Sequence, residues 1–162
     1  MPCKTDAHPL LGKRAPDFTL ESSSGRNLKL SSLRGNCVVL YFYPKDDTSG
    51  CTIEAKGFRD ISEKINNAGA IVLGISPDSV ASHCKFISKH GLNFQLLADP
   101  EHSVAEKFGV WAEKSMYGKK YMGIVRTTFL IDKNSRISHI WSKVKPQGHA
   151  EEVLQVINSM KE

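Results

Sequence analysis

A thiol and a hydroxyl stand three residues apart in Pro44-Lys-Asp-Asp-Thr48-Ser-Gly-Cys51. A cysteine is a nucleophile only as its thiolate, so what matters at Cys51 is whatever favours the anion. Immediately upstream, Val38-Val-Leu-Tyr-Phe-Tyr43 is an unbroken apolar run, mostly β-branched or aromatic, that Pro44 stops. It reads as a buried parallel-sheet strand. Downstream, Ile53, Phe58, Ile61 and Ile65 follow a helical pattern, while Asp46, Asp47, Thr48 and Ser49 supply N-cap chemistry. Cys51 is therefore expected near the N-terminus of a helix, at the carboxyl end of a central strand. Free backbone N–H groups and the helix dipole favour negative charge there. Thr48, one turn upstream, is expected to point its hydroxyl at the same spot. Most free cysteines are small buried hydrophobes; the convergence of strand, breaker, polar loop and helix start favours a reactive one.

The rest of the chain has to position this stretch. Residues 17–20 and 27–30 alternate around a turn at 21–26 and predict a hairpin. Ser31, Ser32 and Gly35 predict a loop or a single helical turn, and Cys37, which opens the central strand, is expected to pack. Residues 66–69 form a C-cap sequence, 70–75 a second buried strand, and 76–79 the cap of a helix running to about His90. Residues 94–98 read as a third strand, 100–108 as a short helix, and 111–123 as an irregular excursion bearing Gly and Lys. Residues 124–131 and 136–141 form a hairpin through 132–135, and Ala150, Val153, Leu154 and Ile157 mark a closing amphipathic helix. Alternating strands and helices, then a hairpin and a last helix, imply an α/β domain with a mixed sheet covered on both faces.

A chain of 162 residues suits one domain with a substantial core, expected over 10–162 behind a loose tail at 1–9. No stretch approaches the roughly 18 apolar residues of a membrane span, and the first nine residues lack the apolar core of a secretory signal. A cytoplasmic protein with no membrane association is expected. Cys3, Cys37, Cys51 and Cys84 are not paired at metal spacing, and in a reducing cytosol they argue against a disulfide framework. The histidines are scattered, so neither a metal nor a cofactor is expected. Net charge is +5, concentrated between Lys107 and Lys145. With no nucleic-acid motif present, that stretch reads as a solvated basic surface.

Pro44-x-x-x-Thr48-x-x-Cys51 resembles the peroxiredoxin active-site motif. The wider Tyr41-Phe-Tyr-Pro-Lys-Asp-Asp-Thr-x-Gly-Cys-Thr-x-Glu-Ala resembles the Q-type branch, also called bacterioferritin comigratory proteins. Ala15-Pro-Asp-Phe18, Gly74-Ile-Ser-Pro-Asp-Ser79 and Arg126-Thr-Thr-Phe-Leu-Ile-Asp132 follow the expected order. The resemblance implies a thioredoxin-like fold with an N-terminal extension. It also implies reduction of hydrogen peroxide and organic hydroperoxides by Cys51, which becomes a sulfenic acid. It places Arg126 beside Cys51, where a preorganised cation supports both sulfur and leaving oxygen; a charge entering an otherwise apolar strand is costly unless paired. By the same resemblance Thr48 orients the peroxide and Pro44 shapes the loop and shields the thiolate. Ser49 departs from the usual proline, so a less rigid loop is expected. Glu54 either pins an arginine such as Arg59 or sits exposed, and Lys45, Asp46 and Asp47 are expected to cap and face solvent.

A sulfenic acid must be resolved before it climbs to the sulfinic form. Many Q-type members carry a resolving cysteine five residues after the peroxidatic one, where this chain has Lys56. Others place it on the following helix, which here carries Cys84, about a turn earlier than usual. Bridging needs Cα atoms within about 7 Å, so local unfolding of the Cys51 helix start or of the Cys84 helix would be required. Two readings stay open: Cys84 resolves, or the enzyme works with one cysteine and an external thiol. Cys3 on the tail is a weaker candidate. The family implies thioredoxin as reductant, with glutathione or glutaredoxin also open, and a monomer. A thioredoxin-like disulfide oxidoreductase would want Cys-x-x-Cys, yet Thr48 stands at the first position. A non-catalytic binding module would tolerate loss of Cys51, Thr48 or Arg126, and all three are present.

Overall fold

The apolar run before Pro44 is β3 (Cys37–Phe42), the middle of the molecule in the computed structural model, which describes residues 8–160. Successive side chains of a strand point to opposite faces, and here both faces are covered. Val38, Leu40 and Phe42 enter one core; Val39, Tyr41 and, just past the strand, Tyr43 enter the other. That double burial is why the run is uniformly apolar instead of alternating. β3 pairs in parallel with β4 (Ala70–Ser76), and β4 with β5 (Gln95–Ala98). On its other side β3 pairs antiparallel with β8 (Thr127–Ile131), which pairs with β9 (Ile137–Ser142). The predicted N-terminal hairpin exists as β1 (Thr19–Ser22) and β2 (Asn27–Lys29), and β1 also docks on β5. The result is a mixed sheet ordered β2-β1-β5-β4-β3-β8-β9.

Three helices cover the Tyr41 face: α1 (Ser49–Asn67), α2 (Val80–His90) and α4 (His149–Met160), through Phe58, Ile65, Phe86, Val153 and Ile157 among others. The opposite face is closed by α3 (Ser103–Lys107), the following Phe108, and Ala15, Phe18 and Leu30 from the N-terminal segment. The Ser79 side chain caps α2 by accepting from the Ser82 N–H, and Gly91 ends that helix in the left-handed region at φ 63°. Among the described residues no helix is long and apolar enough to cross a membrane. The tail expected over 1–9, Cys3 included, lies almost wholly outside the described residues.

Residues 111–123 differ from the expectation of an irregular excursion. They form a regular antiparallel ribbon, β6 (Trp111–Met116) and β7 (Lys119–Ile124), closed by Tyr117 and Gly118 at φ 52° and 78°. Both turn residues in the left-handed region is the two-residue geometry that matches strand twist. The ribbon pairs with no strand of the main sheet and leaves Met116, Tyr121 and Met122 exposed. Its sequence therefore carries no clean inside–outside alternation to read. The strand expected over 124–131 is correspondingly split: Ile124 ends β7, β8 starts at Thr127, and Val125 and Arg126 form the joint between them.

Candidate active site

β3 delivers the chain through Tyr43 and Pro44 into a short loop, and α1 begins at Ser49. Position 49 is the first helical residue, where a proline is also well tolerated; the helix starts there without one. Cys51 lies in the first turn and is 1% exposed. Thr48 is the N-cap by backbone conformation, but its side chain makes no capping bond. Its hydroxyl instead donates to the Lys45 carbonyl at 2.9 Å. The Thr48 hydroxyl thus leaves the first-turn N–H groups and the positive end of the helix dipole to whatever occupies the space beside Cys51. Pro44 is half-buried at the strand end.

Arg126 reaches this point from the joint between β7 and β8. Its Nη2 lies 3.5 Å from the Cys51 sulfur, and its Nη1 donates to Glu54 Oε1 at 2.7 Å. Burial works against the Arg126 charge, but the Cys51 and Glu54 charges outweigh it and raise its pKa. Gly50 makes the approach possible: a Cβ there would stand 3.1 Å from Arg126 Nη2 and 3.4 Å from Pro146 Cγ. Glu54 does pair with an arginine, but with the distant Arg126 and not with the neighbouring Arg59, and it is not an exposed helix carboxylate. Arg59 bonds Asp60 and the His90 carbonyl, while Glu54 is buried against Arg126. Burial pushes the Glu54 carboxyl up to about 7, with Arg126 pulling the other way, and its Oε2 has no protein partner. The Tyr41 hydroxyl is also buried without a partner; burial, then the Glu54 and Cys51 charges, raise its pKa.

The loop acidic residues divide. Asp47 is on the surface, as expected, bonded to Lys89 at 2.7 Å and His90 at 2.9 Å. Asp46 is not a solvated cap. It is buried, accepting from Tyr43 and Ser82 and facing His83 Nδ1 at 2.8 Å. His83 carried a faint signal, since it shares a helix face with Phe86 three residues on; Asp46 carried none. Lys114 was also missed. Its stem crosses Gly123, where a Cβ would stand 3.1 Å from its Cδ, and its ammonium donates to the Ile124 carbonyl at 2.7 Å. Burial and the nearby Arg126 charge lower the Lys114 pKa, and the Cys51 charge opposes them.

Cys84 is not brought to Cys51. It is exposed on α2, its thiol donating to the Ser23 carbonyl just past β1 at 3.5 Å. β5 and β4 lie between β1, whose end Cys84 contacts, and β3, which leads into Cys51. Cys37 is half-buried and packs against the Tyr41-side core, where burial raises its thiol pKa. Among the described residues no cluster of three or more His, Cys, Asp or Glu is arranged to hold a metal.

Residues 11–140 match the AhpC/TSA family. The chain is 50% identical over 152 residues to Peroxiredoxin Bcp of Bacillus subtilis, covering 94% of this chain and 97% of that one. A crystal structure of Xylella fastidiosa PrxQ superposes with a TM-score of 0.90 at 38% identity, covering 96% and 99% of the two chains. The Xanthomonas campestris bacterioferritin comigratory protein, solved in trapped intermediate and ligand complexes bearing on its alkyl peroxide reduction activity, gives 0.85 at 39% identity over 90% and 92%. The fold is thioredoxin-like. The chain belongs to the AhpC/TSA family, in the peroxiredoxin Q or bacterioferritin comigratory branch, and is a thiol-dependent peroxidase.

Proposed function

We propose that Cys51 is the peroxidatic nucleophile and that Arg126, Thr48 and Pro44 shape its reaction. The observation that carries this reading is the guanidinium 3.5 Å from a buried sulfur at a helix N-terminus. The Cys51 thiolate attacks the nearer peroxide oxygen; the S–O bond forms, the O–O bond breaks, and the departing alkoxide or hydroxide takes up a proton. Thiolate, peroxide and proton thus become sulfenic acid and an alcohol or water. Arg126 stabilises charge first on sulfur and then on the leaving oxygen, and the free first-turn N–H groups act in the same direction. Thr48 exchanges its bond to the Lys45 carbonyl for one to the peroxide. Glu54 holds Arg126 in line through the 2.7 Å bond.

Both hydrogen peroxide and organic hydroperoxides are substrates in this reading, the latter supported by the alkyl peroxide activity of the Xanthomonas relative. Turnover draws on thioredoxin or another thiol, and the protein works as a cytoplasmic monomer made of one domain. Resolution runs through Cys84 after opening of α2 or of the α1 start; the alternative of a single cysteine and an external thiol is favoured by the Cys84 bond to the Ser23 carbonyl, far from Cys51. A peroxide-consumption assay with a thiol donor tests the proposal. Wild type turns over and Cys51→Ser does not; activity retained in Cys51→Ser overturns the mechanism.

A further inference from the structure

Asp46 and His83 are buried, titratable and unused by the chemistry above. Asp46 Oδ1 accepts from the Tyr43 hydroxyl at 2.6 Å; its Oδ2 accepts from Ser82 Oγ at 2.7 Å and faces His83 Nδ1 at 2.8 Å. His83 is fully buried, and its Nε2 meets the Leu97 carbonyl at 3.0 Å. A carbonyl cannot donate, so Nε2 does. The Asp46 N–H adds a bond to Asp78 Oδ2 at 2.7 Å, and Asp78 is held by the Ser76 hydroxyl. One carboxylate therefore ties the loop leading into Cys51 to Ser82 and His83, the two residues immediately before Cys84.

In the two-cysteine cycle, Cys84 must leave the Ser23 carbonyl and the two sulfurs, held on separate helices, must close to bonding distance. Ser82, His83 and Cys84 are consecutive in the early turns of α2, so Cys84 cannot leave the helix without drawing its neighbours off Asp46. We propose that the Asp46–His83 pair is a positioning joint that sets how fast the Cys51 sulfenic acid becomes a Cys51–Cys84 disulfide. It thereby sets how much peroxide the protein tolerates before Cys51 reaches the sulfinic acid. This rests on the reading of Cys84 as resolver. In the step itself the Cys84 thiolate attacks the Cys51 sulfur, the S–S bond forms, the S–O bond breaks, and the hydroxide released is protonated to water. A second peroxide competes, transferring an oxygen to the sulfenic acid and leaving as alcohol or water. Bonds made only in the closed arrangement favour the competitor by prolonging the sulfenic acid; loosening them favours resolution.

Rapid-quench mass spectrometry after one equivalent of hydrogen peroxide measures the two steps separately in wild type, His83→Gln and Ser82→Ala, each also on a Cys84→Ser background. Wild type is expected to form the Cys51–Cys84 disulfide, and His83→Gln to form it about tenfold faster, with a smaller change in the first oxidation of Cys51. The peroxide dose giving half-sulfinic Cys51 rises in parallel, and that rise disappears on the Cys84→Ser background, which general loosening would not produce. Ser82→Ala, which deletes only one bond, shows a smaller acceleration and keeps the test open should His83→Gln not fold. A disulfide formed at the wild-type rate in both variants overturns the joint alone. A wild type that forms no such disulfide overturns the reading of Cys84, and the joint with it.

Discussion

Arg126 divides one guanidinium between a sulfur and a carboxylate, so small displacements at its neighbours should register in the chemistry. Gly50→Ala puts a methyl 3.1 Å from Nη2. Misplacing a catalytic group by a fraction of an ångström is expected to lower the rate of Cys51 oxidation about tenfold or more with circular dichroism unchanged; an unaltered rate would mean that the guanidinium is not held where it matters. Glu54 gives a second handle through pH. Its folded pKa of about 7 stands above the ordinary 4.5. A raised pKa favours folding while the group is protonated, so its contribution is full below 4.5 and is lost as pH rises to about 7. The melting temperature of wild type relative to Glu54→Gln should therefore fall as pH rises from 4.5 to about 7. A difference independent of pH would contradict the burial argument.

The strands and helices differ in how openly the chain declares them. β3, β4, α1 and α2 were legible because each is long, buried and bounded by strong signals: Pro44 after β3, the Ser79 cap and Gly91 stop of α2, and the 66–69 C-cap of α1. The β6–β7 ribbon was not, because a two-stranded arm off the sheet buries too little to impose alternation, and its turn begins with Tyr117 where asparagine or glycine is usual. Tyr117 is 97% exposed at φ 52°, so its ring stabilises nothing that offsets the left-handed backbone. Tyr117→Asn creates an Asn-Gly turn and should stabilise the protein by about 0.5–1 kcal/mol in chemical denaturation. No gain, or a loss, would show that the tyrosine makes a contact the ribbon needs.

Across the molecule, the proposed chemistry draws on residues far apart in sequence that only the sheet order brings together. Cys51 at a strand-to-helix turn was readable locally. The approach of Arg126 came from family likeness alone, because it depends on β8 pairing with β3, which no local pattern specifies. The partner and burial of Glu54, and Asp46, His83 and Lys114 altogether, escaped for a related reason. Each is a polar residue whose burial is compensated by a partner on another element, so hydropathy marks it as surface. The sharpest test is the second-order rate constant for oxidation of Cys51 by hydrogen peroxide in folded wild type and Arg126→Gln. If a preorganised cation beside the sulfur carries the reaction, the substitution lowers that constant by about 10²–10³. Equal constants for the two proteins would contradict it.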